Sequence, residues 1–263
     1  VRIVTWNVNA VNPRLAHLLS WLTATSPDVV CLQETKCFAH DFPTDAFADL
    51  GYTSVHLGDG RWNGVAILSK HELTDVRTGL PDQPAFEGKV EPRAIAATTA
   101  GLRVWSLYVP NGREVGHPHY DYKLEWLDAL VATAGQELPA HPGRLLLLGD
   151  FNIAPTDADV WSREAFEGST HVTAAERERL TGLHHAGLRE ILPRPLKYET
   201  AFTFWDYRQL AFPKNRGMRI DLAYAAPALA ERVADAYVDR EARKGKGTSD
   251  HAPIVIDLQQ EDA

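Results

Sequence analysis

"GKGTSDHAPIVIDL", residues 245–258, runs from a glycine-rich turn through Asp250 and His251 into the apolar run Ile254, Val255, Ile256 and Leu258. A strand entering a core excludes ionised groups unless something compensates them. The Asp-His pair is therefore either a capped turn or part of a site. Seven other segments share the strand-like make-up, rich in β-branched and aliphatic residues and bounded by turn formers: "RIVTWNVN", "DVVCLQE", "GVAILSK", "AIAATT", "LRVWSLYVP", "GRLLLLGDFN" and "RIDLAYA". Helical spacing falls between them over residues 14–25 and 119–137, where Tyr120, Leu124, Leu127 and Leu130 mark a core face, and helices are also expected near 174–187 and 227–234. No Gly/Ser linker or low-complexity break divides the chain, so the pattern predicts one α/β domain over residues 1–263. Two strands echo each other, one running into "TWN" at 5–7 and one into "GDFN" at 149–152, as a pair of stacked sheets sharing one rim would require.

With 263 residues the chain can bury a large core and needs no covalent staples. Cys31 and Cys37 are its only cysteines, too few for a disulfide framework or a zinc site, which points to a reducing, cytoplasmic setting, beside the nucleoid if the source is bacterial. No apolar run approaches the roughly 20 residues that cross a bilayer, and "VRIVTWNVNA" lacks the layout of a signal peptide, so no membrane partner is expected. The net charge of −8 argues against general polyanion binding. Two basic clusters, Lys214/Arg216/Arg219 and Arg240/Arg243/Lys244/Lys246, read as solvated loops unless other residues give them a purpose.

Polar residues capable of chemistry recur where apolar strands begin or end: Asn7, Glu34, Asp150 with Asn152, Asp221, and Asp250 with His251. Each alone has an ordinary explanation as a turn, a cap or a satisfied core group. Four carboxylates and a histidine converging on one rim would repel one another unless a cation sat among them. Carboxylate and amide oxygens suit Mg²⁺ or Mn²⁺, and magnesium is bound by a few carboxylates together with substrate phosphate, which points to a phosphate ester as substrate.

In chain order, "TWNVN", "LQETK", "NGVAILSK", "YVPNG", "GDFNIAPTD", "TFWDYR", "NRGMRID" and "SDHAP" span residues 5–253. Together they resemble exonuclease III and the related abasic-site endonucleases, within the wider group that includes pancreatic-type deoxyribonuclease and inositol-phosphate 5-phosphatases. The fold this implies is α/β, a four-layer sandwich of two stacked mixed β-sheets flanked by helices. The resemblance implies a metal held by Glu34 with Asn7 and Asp250 close by. It implies Asp150 as the base for the attacking water, Asn152 holding that water or a phosphate oxygen, His251 oriented by Asp221 and donating to a non-bridging oxygen, and Tyr108 reaching the phosphate from the opposite side. It further implies that Phe204, Met218 and Ile220 wall an apolar pocket for a flipped-out abasic sugar, with Arg113, Lys123 and Lys214 contacting phosphates. The partner would be double-stranded DNA with abasic sites or 3′ ends, and the protein a monomer.

The chain departs from that pattern in "EGSTHVTAAER", where Ser169, Thr170 and His171 stand in place of an Asn followed by small residues. Ser169 is shorter than Asn for reaching a phosphate, and Thr170 and His171 are expected to bring bulk beside the pocket, so that action at 3′ termini is at least as prominent as incision at internal abasic sites. His117, His119, His184 and His185 lack matching ligands at useful spacing and read as packed or solvated. The alternative is a metal-dependent phosphoesterase acting on a small-molecule or lipid phosphate, against which the aromatic "FTFWDYR" argues.

Overall fold

The structure, a computed structural model, describes residues 1–259. One sheet has seven strands, in the order β10 (Arg194–Pro195), β12 (Val233–Val238), β13 (Ile254–Leu258), β1 (Arg2–Asn7), β2 (Val29–Gln33), β4 (Val65–Ser69) and β3 (Thr53–Leu57). The other has six: β5 (Thr74–Thr78), β6 (Ala94–Thr99), β7 (Leu102–Tyr108), β8 (Leu145–Asp150), β11 (Asp221–Ala225) and β9 (Arg189–Glu190). Both mix parallel with antiparallel pairs, β1 with β2 and β7 with β8 being parallel.

Alternation along the central strands builds the layers, because successive side chains of a strand point to opposite faces. Ile3, Val29, Cys31, Ile254 and Ile256 join the large core that includes the second sheet. Their neighbours Val4, Trp6, Val30, Leu32 and Val255 join a second core with Leu18, Trp21 and Leu22 of helix α1 (Leu15–Thr25). Helices α3 (Pro118–Ala140) and α4 (Ala174–His185) cover the opposite side through Trp126, Leu127, Leu130, Leu180 and Leu183. The order is therefore helix, sheet, sheet, helix, as expected. Strands buried on both faces read as continuous apolar runs, which is why "LLLL" of β8 shows no alternation of polarity.

Five strands escaped the pattern. β5 is fully exposed, β9 and β10 are two residues long, and β3 is only half-buried. β12, "VADAYV", overlaps the helix expected over 227–234; helix α5 (Pro227–Ala230) stops after one turn, and the chain turns into an edge-side strand paired with β13. A short helix α2 (Thr44–Ala48) was likewise not expected; it buries Phe47.

A polar thread crosses the inter-sheet core. Thr5 Oγ1 donates to Gln33 Oε1 at 3.2 Å, Gln33 Nε2 donates to Ser106 Oγ at 3.0 Å, and Ser106 Oγ donates to the Leu32 carbonyl at 3.1 Å. Thr5 lies on the same face of β1 as Asn7, so Asn7 also enters the space between the sheets, one residue pair nearer the rim.

Candidate active site

Asn7 is where the two echoing strands meet. Its Nδ2 donates to Asp150 Oδ2 at 2.8 Å and to Glu34 Oε1 at 2.8 Å, tying the end of β1 to the end of β8 and to the turn after β2. Asp150 lies level with Tyr108 on β7 and with Asp221 on β11, so three adjacent strands deliver polar side chains at one level. Gly149 makes this possible: a Cβ there would lie 1.9 Å from the Leu107 carbonyl oxygen. Opposite, Ser249 Oγ donates to the Asn7 carbonyl at 2.7 Å and draws the mouth of β13 inward. His251 Nδ1 then sits 2.8 Å from Asp221 Oδ2, and its Nε2 is 3.8 Å from Asp150 Oδ2.

These groups are almost wholly enclosed, and enclosure governs their protonation. Burial pushes the Asp150 carboxyl up, Asp221 and Glu34 add to the push, and its pKa reaches about 7 despite the opposing His251 and Asn7. For His251 burial alone would lower the pKa, but the Asp221 and Asp150 carboxylates and the hydrogen bond to Asp221 reverse this and raise it to about 10. Burial would also raise Glu34, yet the Lys36 ammonium and the Asn7 amide hold it below its ordinary value. Burial, then the Glu34 and Asp150 carboxylates, push the Tyr108 phenol well above its usual range, so it stays a donor. The outcome is an imidazole pushed towards its cationic form, an Asp150 carboxyl that titrates near neutrality and a Glu34 carboxylate held below its ordinary value, all within one rim.

Beside the rim lies a cavity of about 510 Å³ lined by Trp161, Phe166, His171, Phe204, Arg216 and Met218 among others. The Phe204 ring centroid is 5.0 Å from that of His251, so this apolar wall adjoins the imidazole. Met218 lines the cavity, whereas Ile220 packs behind it with Val160 and Val172.

The model of the Endonuclease/Exonuclease/phosphatase family matches residues 4–251, from β1 to the histidine itself. The chain belongs to this family. It is 30% identical to exodeoxyribonuclease III of Haemophilus influenzae, over 98% of this chain and all of that one. Among solved structures, the 3′ phosphatase NExo from Neisseria bound to product DNA hairpin superposes with TM-score 0.93 at 37% identity, over 98% of this chain and 99% of that one. An AP endonuclease from Archaeoglobus fulgidus gives TM-score 0.91 at 35% identity, over 99% of this chain and 100% of that one.

Further expectations about individual residues of this family member need correction. Lys123 does not lie on a loop facing solvent: it is fully enclosed within α3, and its Nζ contacts Glu176 Oε1 at 2.5 Å, the Asn152 carbonyl at 2.8 Å and the Asn111 carbonyl at 3.2 Å. No DNA phosphate can reach it. Thr170 is also turned inward, its Oγ1 donating to Glu176 Oε1 at 2.6 Å, and adds no bulk to the cavity; His171 does line it. Arg113 and Lys214 are exposed, as phosphate contacts need, and Ser169 is half-buried. The basic clusters are only partly solvated. Arg219 is buried against Asp159 at 2.7 Å and Glu190 at 2.5 Å, while Arg240 and Arg243 stack on Phe212 at 3.8 and 5.1 Å.

Asn152 is close to Asp150 but internally engaged: its Nδ2 donates to the Val109 carbonyl at 3.0 Å and its Oδ1 accepts from Asn111 at 3.3 Å. Among the described residues, the ligand atoms that gather within 4.8 Å of one another are those of Glu34, Asp150 and His251; Asp250 lies outside the group, its Oδ1 accepting from Asn9 Nδ2 at 3.0 Å. A cation fits this donor set. Two carboxylates share a single Asn7 amide, and the His251 ring is already bonded through Nδ1 to Asp221, so most of the available ligand atoms are carboxylate oxygens, which favours a hard divalent ion. Residues the sequence reading missed are Lys36, Asn9, Trp161 and Arg216. Lys36 and Asn9 were readable beside Glu34 and Asn7, and Arg216 belongs to a basic cluster read as solvated; Trp161, from a separate loop and with no local signal of its own, brings it to the cavity, its ring centroid 4.8 Å from the guanidinium carbon.

Proposed function

We propose that this family member is a metal-dependent DNA repair nuclease that hydrolyses phosphodiesters at DNA 3′ ends and at abasic sites, using Mg²⁺ or Mn²⁺. The observation that carries the reading is the Asp150–His251–Asp221 constellation facing Glu34 beside an apolar cavity. Asp150, with a pKa near 7, accepts the proton of the attacking water. His251, kept cationic and held by Asp221, donates from Nε2 to a non-bridging phosphate oxygen as charge accumulates there. Tyr108 adds a neutral donor from β7. Glu34 would hold the metal, with Asn7 bonded to the Glu34 carboxylate and Asp250 supporting Asn7 through Asn9. A bound Mg²⁺ or Mn²⁺ supplies Lewis-acid stabilisation of the phosphate and of the departing oxygen.

The aromatic wall suits a base-free sugar, since a nucleotide without its base costs least to extrude. His171 narrows this space. Its backbone is left-handed at φ +81, its Nδ1 lies 2.5 Å from the Asn152 carbonyl, and its ring lines the cavity. A frayed 3′ terminus enters such a pocket with fewer constraints than an internal site, so activity at 3′ ends should at least equal incision at abasic sites. Both should be measured on a recessed 3′ end and an internal abasic duplex, with and without EDTA. Full turnover in EDTA, or competition by an inositol phosphate but not by duplex DNA, refutes the reading. A wild type that strongly prefers the internal abasic site, with no gain in a His171→Gly variant, refutes the role given to His171.

A further inference from the structure

Lys36 and Asn9, which the hydrolytic chemistry leaves without a role, close a circuit around Glu34. Glu34 and Lys36 both adopt left-handed backbone, at φ +53 and +50, so the chain after β2 folds back and lays the lysine over the carboxylate two positions earlier. Lys36 Nζ lies 2.6 Å from Glu34 Oε2 and donates to Asn9 Oδ1 at 2.6 Å. Asn9 is also left-handed, at φ +45. Its N–H donates to Asn7 Oδ1 at 3.0 Å and its Nδ2 to Asp250 Oδ1 at 3.0 Å. Left-handed backbone is uncommon outside glycine and persists where surrounding contacts over-determine it. Here three such residues hold one ammonium against the rim.

An ammonium is a compact point charge, and a divalent cation taken up by Glu34 would share that carboxylate with it. Asn7 already occupies the other oxygen, at 2.8 Å. We propose that Lys36 is a positioning residue that competes with the divalent cation for Glu34 and so sets how tightly the metal is held. This rests on Glu34 being a metal ligand. The lysine holds the Glu34 carboxylate aimed, and its charge keeps the ion exchangeable, in keeping with a cation that retains several waters and needs few carboxylates.

The test is calorimetric titration of Mn²⁺ into the wild type, Lys36→Met, Lys36→Arg and Glu34→Ala, with thermal unfolding recorded in EDTA to establish that each is folded. Removing one unit charge so close to a divalent ion should tighten Mn²⁺ binding about ten-fold in Lys36→Met, and Lys36→Arg should stay within about two-fold of wild type. If Lys36→Met does not fold, Lys36→Gln, which keeps a donor without the charge, asks the same question. Equal or weaker Mn²⁺ binding by the folded, uncharged variant overturns the proposal while leaving Glu34 as ligand. Wild-type binding that survives in Glu34→Ala, or is absent altogether, overturns the metal reading itself and the proposal with it.

Discussion

Replacing Lys123 with methionine separates a buried strut from a DNA contact, because the two roles move different observables. Lys123 and Glu176 side chains have no solvent exposure. Besides Lys123, Glu176 accepts from Thr170 Oγ1, the His171 N–H, the Thr173 N–H and Thr173 Oγ1, at 2.6 to 3.0 Å. Burial would raise the Glu176 carboxyl, but Lys123 and these donors bring it down to about 2. Methionine fills the volume and removes the charge, leaving an uncompensated buried carboxylate, which costs about 3–5 kcal/mol. For 263 residues with an unfolding entropy of about 2.1 cal/mol/K each, the melting temperature should fall by roughly 5–9 °C. Thermal unfolding by circular dichroism measures this. Fluorescence anisotropy of a labelled recessed-3′ duplex against NaCl then gives the salt dependence. Lys123 touches no phosphate in this arrangement, so the slope of log K against log[salt] should match wild type. For exposed Lys214→Ala the slope should shrink by about 0.9 at an unchanged melting temperature. If Lys123→Met instead kept its melting temperature and lost about one unit of slope, the assignment of Lys123 as a strut would be wrong.

Asp150→Asn and His251→Ala should each lower turnover at a recessed 3′ end by at least about 10², with DNA affinity nearly unchanged, and near-normal turnover in either would remove that residue from the chemistry. His56 is depressed to about 4 by burial, so it stays neutral in the fold while the unfolded chain protonates near pH 6.5; its stabilising contribution is complete above 6.5 and declines as pH falls towards 4. The drop in melting temperature between pH 7 and pH 5 should therefore be smaller in His56→Gln than in the wild type, and an equal drop would count against it. Gly149→Ala would push a methyl into the Leu107 backbone and should separate β7 from β8, seen as a lower melting temperature together with lost activity; a variant with wild-type melting behaviour would show that the strands can part without cost.

The central strands were legible because strands packed on both faces demand uninterrupted apolar side chains, and the polar residue at each end stands out against them. Asn7, Asp150, Asp221 and His251 all declared themselves in this way, and the echo of "TWN" and "GDFN" corresponds to a bond of 2.8 Å between the two sheets. The exposed or very short strands β5, β9 and β10 carried no such demand and left no pattern. Local sequence also had no means of telling that the lysine of "DYKLEW" points inward. That depends on Glu176, 53 residues later, arriving through the capping box of α4 to supply the charge that makes its burial tolerable. Arg240 and Arg243 are the same case, since a basic run reads as solvated until Phe212 and Tyr207 fold over it. Charge type and strand polarity are properties of short segments, and the sequence alone determined them. Which ionisable groups are buried, and with what partner, was decided by contacts between distant segments, and those contacts raise Asp150 and His251 to about 7 and about 10.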